Sequence, residues 1–363
     1  MSQPKIALIG YRLNKGGAER VMANLSNFFH VNNIEVHNII ILDDIKYPHS
    51  GEVFNLGKLK NKHNGIFNKI KRLVALKKYL NKHDFDFIID FRFRIKPIQE
   101  LLISKWVYNT ETIFTVHSSK IDSYMPNFSP LTRLMYGNAF QNVAITNAMQ
   151  RLIESKHHLK NVTTIYNSID IDDIVIKSQD TIELDFEYII GVGQYDTNVK
   201  QFDKLIEAYA KSKLPKQGIA LVILGEGKLK ENLKSIAKSF NVESLVHFLG
   251  FKNNPFKYIK NAKFFVLSSE LEGLPMVLLE SLACKTPVVS FNCPTGPEEV
   301  ISHGENWLLI EHQNIKALTE GINTMMYDSK LYDTCKMNAF KTAQKFSFET
   351  IGKQWLELMN YKN

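Results

Sequence analysis

The chain has 363 residues, of which 44% are hydrophobic and 23% charged, and its formal net charge is +8. This composition is typical of a soluble globular protein, and the length suits two domains of ordinary size. No apolar run approaches the roughly 18 residues of a membrane helix, and the three cysteines lack metal-ligand spacing, which favours reduced thiols in a cytoplasm.

Apolar segments alternate with helical stretches in the first half of the chain. Each segment is apolar on both faces, as a parallel sheet covered by helices requires. The first, KIALIG, therefore reads as a buried strand and not as a signal peptide. The predicted strands are 5–10, 36–42, 85–91, 111–117 and 142–146.

Two glycines, Gly16 and Gly17, follow the first strand in the segment YRLNKGGAERVM. Where a loop turns into a helix, glycine lets the backbone approach a ligand at the positive end of the helix. The pair is therefore typical of a ligand-binding loop, but it also fits a tight turn that binds nothing.

A basic stretch spans residues 57–82, with nine Lys and Arg and no Asp or Glu. It belongs to the more basic half: residues 1–170 hold 23 basic and 13 acidic side chains, whereas residues 171–363 hold 22 and 24. Apolar residues recur among the lysines near helical spacing. Two interpretations stay open: a helix that lies on an anionic membrane surface, or one that packs on the sheet and exposes its lysines to solvent.

His117 ends the predicted strand 111–117 in the segment TVHS. Ligands of doubly wound sheets bind at the carboxyl edge, where such a residue lies. His117 is therefore a candidate catalytic residue, with a hydrogen-bonded core or surface histidine as the alternative.

A polar stretch over 172–185 has no strong period and is predicted to connect two domains. A second series of strands and helices follows, and the chain ends in an amphipathic helix that carries Trp355. The predicted strands of this series are 187–193, 220–227, 246–250, 262–269, 286–291 and 306–310.

The loop after strand 187–193 contains Gln194 and Lys200 and leads into a helix. The ammonium group of Lys200 could meet phosphate oxygens as a point charge. The alternative is an exposed lysine in a loop.

The segment ELEGLPMVLLESLACK places Glu272 and Glu280 on either side of seven residues. Pro275 fits the first position of a helix that runs to about Lys285. Free N–H groups at the start of this helix suit an anion, Glu272 can accept hydrogen bonds from sugar hydroxyls, and Glu280 can accept two from a ribose. For Glu280 the alternative is a helix-edge carboxylate near Lys285. The backbone of this helix start is formed by Gly273, Leu274, Pro275, Met276 and Val277.

Taken together, these segments resemble the retaining glycosyltransferases of family 4, over nearly the whole chain. The anchor is ELEGLPMVLLESLACKTPVVSF, which is similar to that family's pair of glutamates with a Gly-x-Pro. GGAER, TVHS, YNSID, GVGQYDTNVK and CPTGPEEVI occur in the family's order.

The resemblance implies a role for each candidate. Gly16 and Gly17 would lie near the diphosphate and the acceptor, and His117 would approach the transferred sugar. Lys200 would neutralise the departing diphosphate, with Gln194 in the same loop. Glu272 would bind donor-sugar hydroxyls, and Glu280 the ribose. No metal is implied, because basic side chains and helix ends stabilise the leaving group.

One position departs from the family pattern. Gln194 follows Gly193, where the family commonly carries Arg, and the spacing from there to Lys200 is one residue longer than usual. A neutral amide therefore replaces a guanidinium with five donors and a fixed charge.

The expected fold is GT-B: two doubly wound α/β domains with a cleft between them. The expected domains are an acceptor-binding domain over 1–170, a nucleotide-sugar-binding domain over 171–345 and a C-terminal helix over 346–363, for which return to the first domain is one option.

The expected activity is retaining transfer of a hexose or N-acetylhexosamine from a nucleotide sugar, with UDP favoured. The acceptor would be a lipid-linked or envelope saccharide, reached from the cytoplasm at the inner face of the membrane. A UDP-N-acetylglucosamine 2-epimerase shares the fold but lacks GGAER and Glu-Gly-x-Pro. A nucleic-acid-binding protein is a further alternative, suggested only by the basic half.

Overall fold

The structure is a computed structural model, and it describes residues 3–14, 16–61, 65–300 and 303–361. The chain divides into two compact units. The first consists of Met1–Ser168 with Phe348–Asn363, and the second of Ile169–Ser347. The boundaries expected at 170/171 and 345/346 differ from these by two residues each.

The first unit contains a seven-stranded parallel sheet in the order β3-β2-β1-β4-β5-β6-β7. The strands are β1 Lys5–Gly10, β2 Glu35–Ile40, β3 Glu52–Asn55, β4 Phe87–Asp90, β5 Glu111–Val116, β6 Gln141–Ala144 and β7 Val162–Thr164. The helices are α1 Gly17–Val31, α2 Ile66–His83, α3 Pro97–Leu102 with a following π-helical turn Ile103–Val107, α4 Ser129–Tyr136 and α5 Asn147–His157.

Strand β3, like β7, has no counterpart among the predicted strands. It lies at the edge, its sequence EVFN is polar at both ends, and its side chains are exposed or half-buried. The prediction relied on continuous apolar runs, and an edge strand does not need one.

The second unit contains a six-stranded parallel sheet in the order β10-β9-β8-β11-β12-β13. The strands are β8 Tyr188–Val192, β9 Ala220–Leu224, β10 Val246–Gly250, β11 Phe265–Leu267, β12 Val288–Phe291 and β13 Leu308–Ile310. The helices are α6 Ile171–Ser178, α7 Phe202–Lys211, α8 Lys230–Ser239, α9 Phe256–Asn261, α10 Met276–Ala283, α11 Pro297–Val300, α12 Ile315–Tyr327 and α13 Ser329–Gln344.

Helix α6 lies within the second unit and corrects the prediction that residues 172–185 connect the two domains. The carboxylate of Asp170 accepts a hydrogen bond from the backbone N–H of Asp173 and so caps the helix start. Ile174 and Ser178 are buried one turn apart. The cap and this single buried pair hold a short helix that has little apolar periodicity of its own.

The last helix, α14 Phe348–Leu358, returns to the first unit and packs against α1. The rings of Phe348 and Phe28 lie 6.0 Å apart. A Cβ atom on Gly352 would lie 2.4 Å from the Phe28 ring, so glycine permits the close approach of the two helices. Within the described ranges, no helix has both the length and the apolar character needed to cross a membrane.

Candidate functional site

The loop between β8 and α7 places Lys200 beside Gly193. A Cβ atom on Gly193 would lie 3.0 Å from two carbons of the Lys200 side chain, so the glycine leaves room for the lysine stem. Lys200 ends a 3-10 turn that begins at Asn198, and its carbonyl accepts a hydrogen bond from the hydroxyl of Ser268 at 2.8 Å. Gln194, in the same loop, is exposed.

Lys200 and Glu272 are in direct contact, although they lie 72 residues apart in the chain. The ammonium Nζ of Lys200 lies 2.6 Å from Oε1 of Glu272, and both side chains remain partly exposed, at 24% and 13%. The structure therefore brings together the residues expected to bind the diphosphate and the sugar of a donor. An incoming anion would compete with Glu272 for the same ammonium group.

The loop after β12 contacts the backbone at Glu272 and Gly273, a role that the sequence reasoning did not assign. The hydroxyl of Thr295 donates a hydrogen bond to the carbonyl of Glu272 at 2.6 Å. A Cβ atom on Gly296 would lie 2.1 Å from the carbonyl oxygen of Gly273. Gly296 also has φ of 87°, which favours glycine. Both residues belong to the segment CPTGPEEVI, so that motif was the available signal; its last residue, Ile301, lies outside the described residues.

Helix α10 starts at Met276, directly after the loop from β11 that carries Glu272, and Pro275 immediately precedes the helix. Leu274 and Val277 are buried, so a ligand at the helix start could meet their backbone but not their side chains. Pro275 is buried as well, whereas Met276 and Gly273 are half-buried. Glu272 and the amino end of α10 therefore share one loop, and the ammonium group of Lys200 lies against it, which suits an anionic ligand.

Glu280 lies in the middle of α10 and is half-buried. Its charge has a detectable effect on the neighbouring Cys284: burial mainly, and the Glu280 carboxylate second, raise the pKa of that thiol to about 12. The helix position agrees with the ribose role and with the helix-edge alternative, so the assignment of Glu280 stays a prediction.

At the start of α1, a carboxylate of the protein itself lies where an anion would bind. Gly16 has φ of 113°, and a Cβ atom there would lie 2.4 Å from Oε2 of Glu19, whereas a Cβ on Gly17 would meet nothing within 4 Å. Burial raises the pKa of Glu19, against the opposing effects of its own backbone N–H and of Arg12. A phosphate at this helix end would have to displace Glu19, so the geometry favours a hydroxyl-bearing ligand there. Sequence reasoning named the glycines and missed Glu19 in the same GGAER motif.

His117 directly follows β5, and Thr115 fixes which ring nitrogen carries its proton. The hydroxyl of Thr115 donates to the carbonyl of Asp90 at 2.9 Å, so it can only accept from the histidine. The Nε2 atom of His117 lies 3.0 Å from that hydroxyl oxygen. Because a hydroxyl has one proton, Nε2 of a neutral His117 carries the hydrogen and Nδ1 keeps its lone pair.

The surroundings of His117 keep the ring uncharged. Burial first, and the charge of Arg94 second, lower its pKa to about 3, against a weaker opposing effect of the Asn167 side chain. The guanidinium of Arg94 is itself buried and donates to the carbonyls of Tyr124 at 2.9 Å and Thr115 at 2.9 Å. His117 is therefore suited to accept a hydrogen bond and unsuited to donate a proton as an imidazolium.

A buried ionic cluster lies at the end of β4, next to this histidine. Arg92 donates to Asp90 at 2.8 Å and to Glu100 at 2.8 Å, and all three side chains are at most 4% exposed. The hydroxyl of Tyr108 donates to Asp90 at 2.9 Å. Burial raises the pKa of Asp90, but the charges of Arg92 and Arg94 outweigh it and the net pKa is lowered. These charges neutralise one another inside the unit and are not available to a ligand.

In the part of the chain that the structure describes, no three His, Cys, Asp or Glu side chains come together as potential metal ligands.

Two family descriptions match the chain: Glycosyltransferase Family 4 over residues 15–173, and Glycosyl transferases group 1 over residues 172–342. Among curated proteins, the chain is 31% identical to the N-acetylgalactosamine-N,N'-diacetylbacillosaminyl-diphospho-undecaprenol 4-alpha-N-acetylgalactosaminyltransferase of Campylobacter jejuni. That match covers 98% of this chain and 99% of the relative.

Solved structures share the fold at lower identity. HepE of Anabaena, crystallised with UDP, superimposes with a TM-score of 0.78 and 20% identity over 99% of this chain and all of that one. Sucrose-phosphate synthase of Thermosynechococcus elongatus gives a TM-score of 0.81 and 18% identity over 99% and 98%. The expected GT-B architecture of two Rossmann-like domains is therefore confirmed.

Proposed function

The chain belongs to the family 4 and group 1 glycosyltransferases, and we propose that it transfers a hexose or N-acetylhexosamine from a UDP-sugar to a lipid-linked saccharide with retention of configuration. The contact between Lys200 and Glu272 at the start of α10 carries this proposal. The Campylobacter relative, named as an N-acetylgalactosaminyltransferase acting on a diphospho-undecaprenol substrate, supports the sugar class and the lipid-linked acceptor.

In the proposed mechanism, donor binding exchanges one ion pair for two sets of contacts. The diphosphate attracts the ammonium of Lys200, which releases Glu272 to accept hydrogen bonds from hydroxyls of the donor sugar. Glu280 accepts hydrogen bonds from the ribose. Lys200 and the amino end of α10 then stabilise the negative charge that develops on the departing diphosphate.

Transfer itself requires one bond to break and one to form at the anomeric carbon. The bond from that carbon to the phosphate oxygen breaks while the acceptor hydroxyl attacks from the same face. The hydroxyl proton passes to the leaving phosphate oxygen, so no protein group has to act as the base. In the first unit, Nδ1 of His117 can accept a hydrogen bond from a sugar hydroxyl, and Glu19 can accept one from the acceptor. Positive charge from Lys200 and α10 makes a divalent metal unnecessary in this scheme.

Because a lipid-linked acceptor is held in a membrane, we propose that the protein acts at the inner face of the plasma membrane. Among the lysines of the stretch 57–82, Lys62 lies outside the described residues, and the exposed ones are Lys58, Lys60, Lys69, Lys71, Lys78 and Lys82. Each positive charge near an anionic bilayer contributes about 1 kcal/mol. Changing the six exposed lysines to Gln should therefore abolish salt-sensitive sedimentation with anionic vesicles.

The activity is tested by incubating the protein with a panel of UDP- and GDP-sugars and a diphospho-polyprenol saccharide. We expect UDP release that depends on the acceptor, that persists in EDTA and that yields an α-linked product from an α-linked donor, read from the anomeric proton coupling. Epimerised UDP-sugar without acceptor consumption would overturn the proposal in favour of an epimerase. Release only from GDP-sugars would overturn the choice of nucleotide.

A further inference from the structure

Exposed apolar side chains of the first unit are concentrated on α2, on α3 and on the segments next to α3. Such side chains scattered singly are ordinary, but a contiguous group commonly marks an interaction site. Ile98 is 80% exposed and Phe67 85%, so these side chains are not partly covered core residues. The exposed set is Ile66, Phe67, Ile70, Phe93, Ile95, Ile98, Leu102 and Trp106.

Helix α2 packs against the π-helical turn that follows α3, and the two helices run in the same direction. Helix α2 connects β3 to β4, and α3 connects β4 to β5. Right-handed crossovers therefore place both helices on the same face of the sheet. The ammonium of Lys77 lies 3.8 Å from the centre of the Trp106 ring, which brings the two segments into contact. Ile66 is the first residue of α2 and Ile98 the second of α3, and both helices start at the carboxyl edge of the sheet.

The apolar side chains form a row along each helix. On α2, Ile66 and Ile70 are one turn apart and precede Lys77 on the same side. On α3 and its π-helical turn, Ile98, Leu102 and Trp106 recur every fourth residue. Because Lys77 contacts Trp106, the two rows face the same region, and we call them together the α2–α3 surface.

The charges around the α2–α3 surface are positive. Lys69, Lys71, Lys96 and Lys105 are exposed on the same two segments. Of the described carboxylates between 65 and 110, Asp90 and Glu100 are buried with Arg92. The remaining two, Asp84 and Asp86, lie in the turn after α2, at the opposite edge of the sheet.

Exposed apolar side chains with lysines on the same segments, and a tryptophan at one end, match the chemistry of a bilayer interface. A folded protein partner would have to offer an apolar and acidic face, whereas an anionic bilayer offers both properties in one layer. We propose that the α2–α3 surface inserts its apolar side chains into the headgroup region of an anionic membrane. The lysines of 57–82 then attract the protein to the bilayer, and insertion holds it there.

This insertion goes beyond the electrostatic contact of the proposed function, and the two are separable by salt. High salt weakens contacts between exposed charges, because the screening length falls to about 3 Å at 1 M. Apolar insertion does not weaken in that way. We therefore expect a fraction of vesicle-bound protein that resists 1 M salt once binding has occurred.

The tryptophans allow a direct test without any sugar substrate. Trp307 and Trp355 are 0% and 3% exposed, whereas Trp106 is 50% exposed, so Trp106 is the tryptophan that a lipid can reach. With anionic vesicles that contain brominated phospholipid, we expect quenching and a blue shift of the emission. The variant Trp106→Phe should bind but lose the quenching. Binding without quenching in the natural sequence would overturn the proposal.

A matched pair of variants tests the apolar contribution. Ile98→Ser with Leu102→Ser should lower the salt-resistant vesicle partition about tenfold or more, because each change removes a large apolar side chain. Val31→Ser is the control: Val31 is 79% exposed but ends α1, on the opposite face of the sheet.

Three outcomes would overturn the insertion: equal effects of the two sets of variants, complete release in 1 M salt, or an α2–α3 surface that changes only the oligomeric state in light scattering. Vesicle insertion with no sugar transfer would instead overturn the proposed activity and leave the insertion standing. Transfer to a water-soluble acceptor with no insertion would overturn the insertion and leave the sugar-transfer activity standing.

Discussion

The two units have the same sheet architecture, yet they treat charge at the carboxyl edge of the sheet in opposite ways. In the first unit, Arg92 is fully buried and neutralised by Asp90 and Glu100. In the second, Lys200 and Glu272 form a single pair that is still partly exposed. The difference indicates that the first set of charges holds strand ends in place, whereas the second set is free to exchange its partner for a ligand.

The largest expected effect of that difference is on stability. Arg92→Met leaves two buried carboxylates without their cation and should lower the free energy of unfolding by about 3–5 kcal/mol. Lys200→Met breaks a partly exposed pair and should cost no more than about 1 kcal/mol. Urea denaturation of the two variants measures both values, and similar losses would remove the distinction between the units.

In the second unit, the loss of Lys200 should affect activity far more than stability. Lys200→Ala should lower kcat on the order of 100-fold, because it removes a cation aimed at developing negative charge. Gln194→Ala should have a much smaller effect, since a neutral amide contributes no charge. Initial rates of UDP release at saturating donor measure this. Small and equal effects would mean that another group neutralises the diphosphate.

Donor affinity should depend on the carboxylate of Glu280. Glu280→Ala should weaken donor binding by about 1–3 kcal/mol, the scale of hydrogen-bond partners left unpaired. Titration calorimetry with the UDP-sugar gives the affinity, and Glu280→Gln tests whether charge or hydrogen bonding matters. A variant with unchanged affinity but a large loss of stability would support the helix-edge alternative.

The smallest expected change concerns the protonation of His117. Its pKa of about 3 predicts a neutral ring throughout pH 5–8, with the proton on Nε2. An unfolded histidine takes up a proton near pH 6.5, so this residue should lower stability as the pH falls below that value. The ¹⁵N shifts of the imidazole report both protonation and tautomer. Thr115→Ser should preserve the Nε2–H form, whereas Thr115→Val should not; a charged His117 at pH 6 would contradict the prediction.

Local pattern was enough to predict most of the elements that frame the candidate site. Strands such as β1 and β10 are continuous apolar runs, and their bounds were predicted to the residue. The glutamate pair and the loop lysine were found because glycine, proline and charge follow a strand end at short range. Such signals depend on a few neighbouring residues, so they can be read without knowing the fold.

The tertiary structure decided what depends on residues far apart in the chain. The contact of Lys200 with Glu272 and the support of Glu272 by Thr295 join separate strand ends. The tautomer of His117 follows from a hydroxyl whose proton is committed to the strand next to it. Neither the placement of Glu19 over Gly16 nor the burial of the Arg92 cluster has a signature in composition or spacing. Hydrogen bonds and desolvation act between whichever groups the fold brings within about 3 Å, and sequence order does not encode those distances.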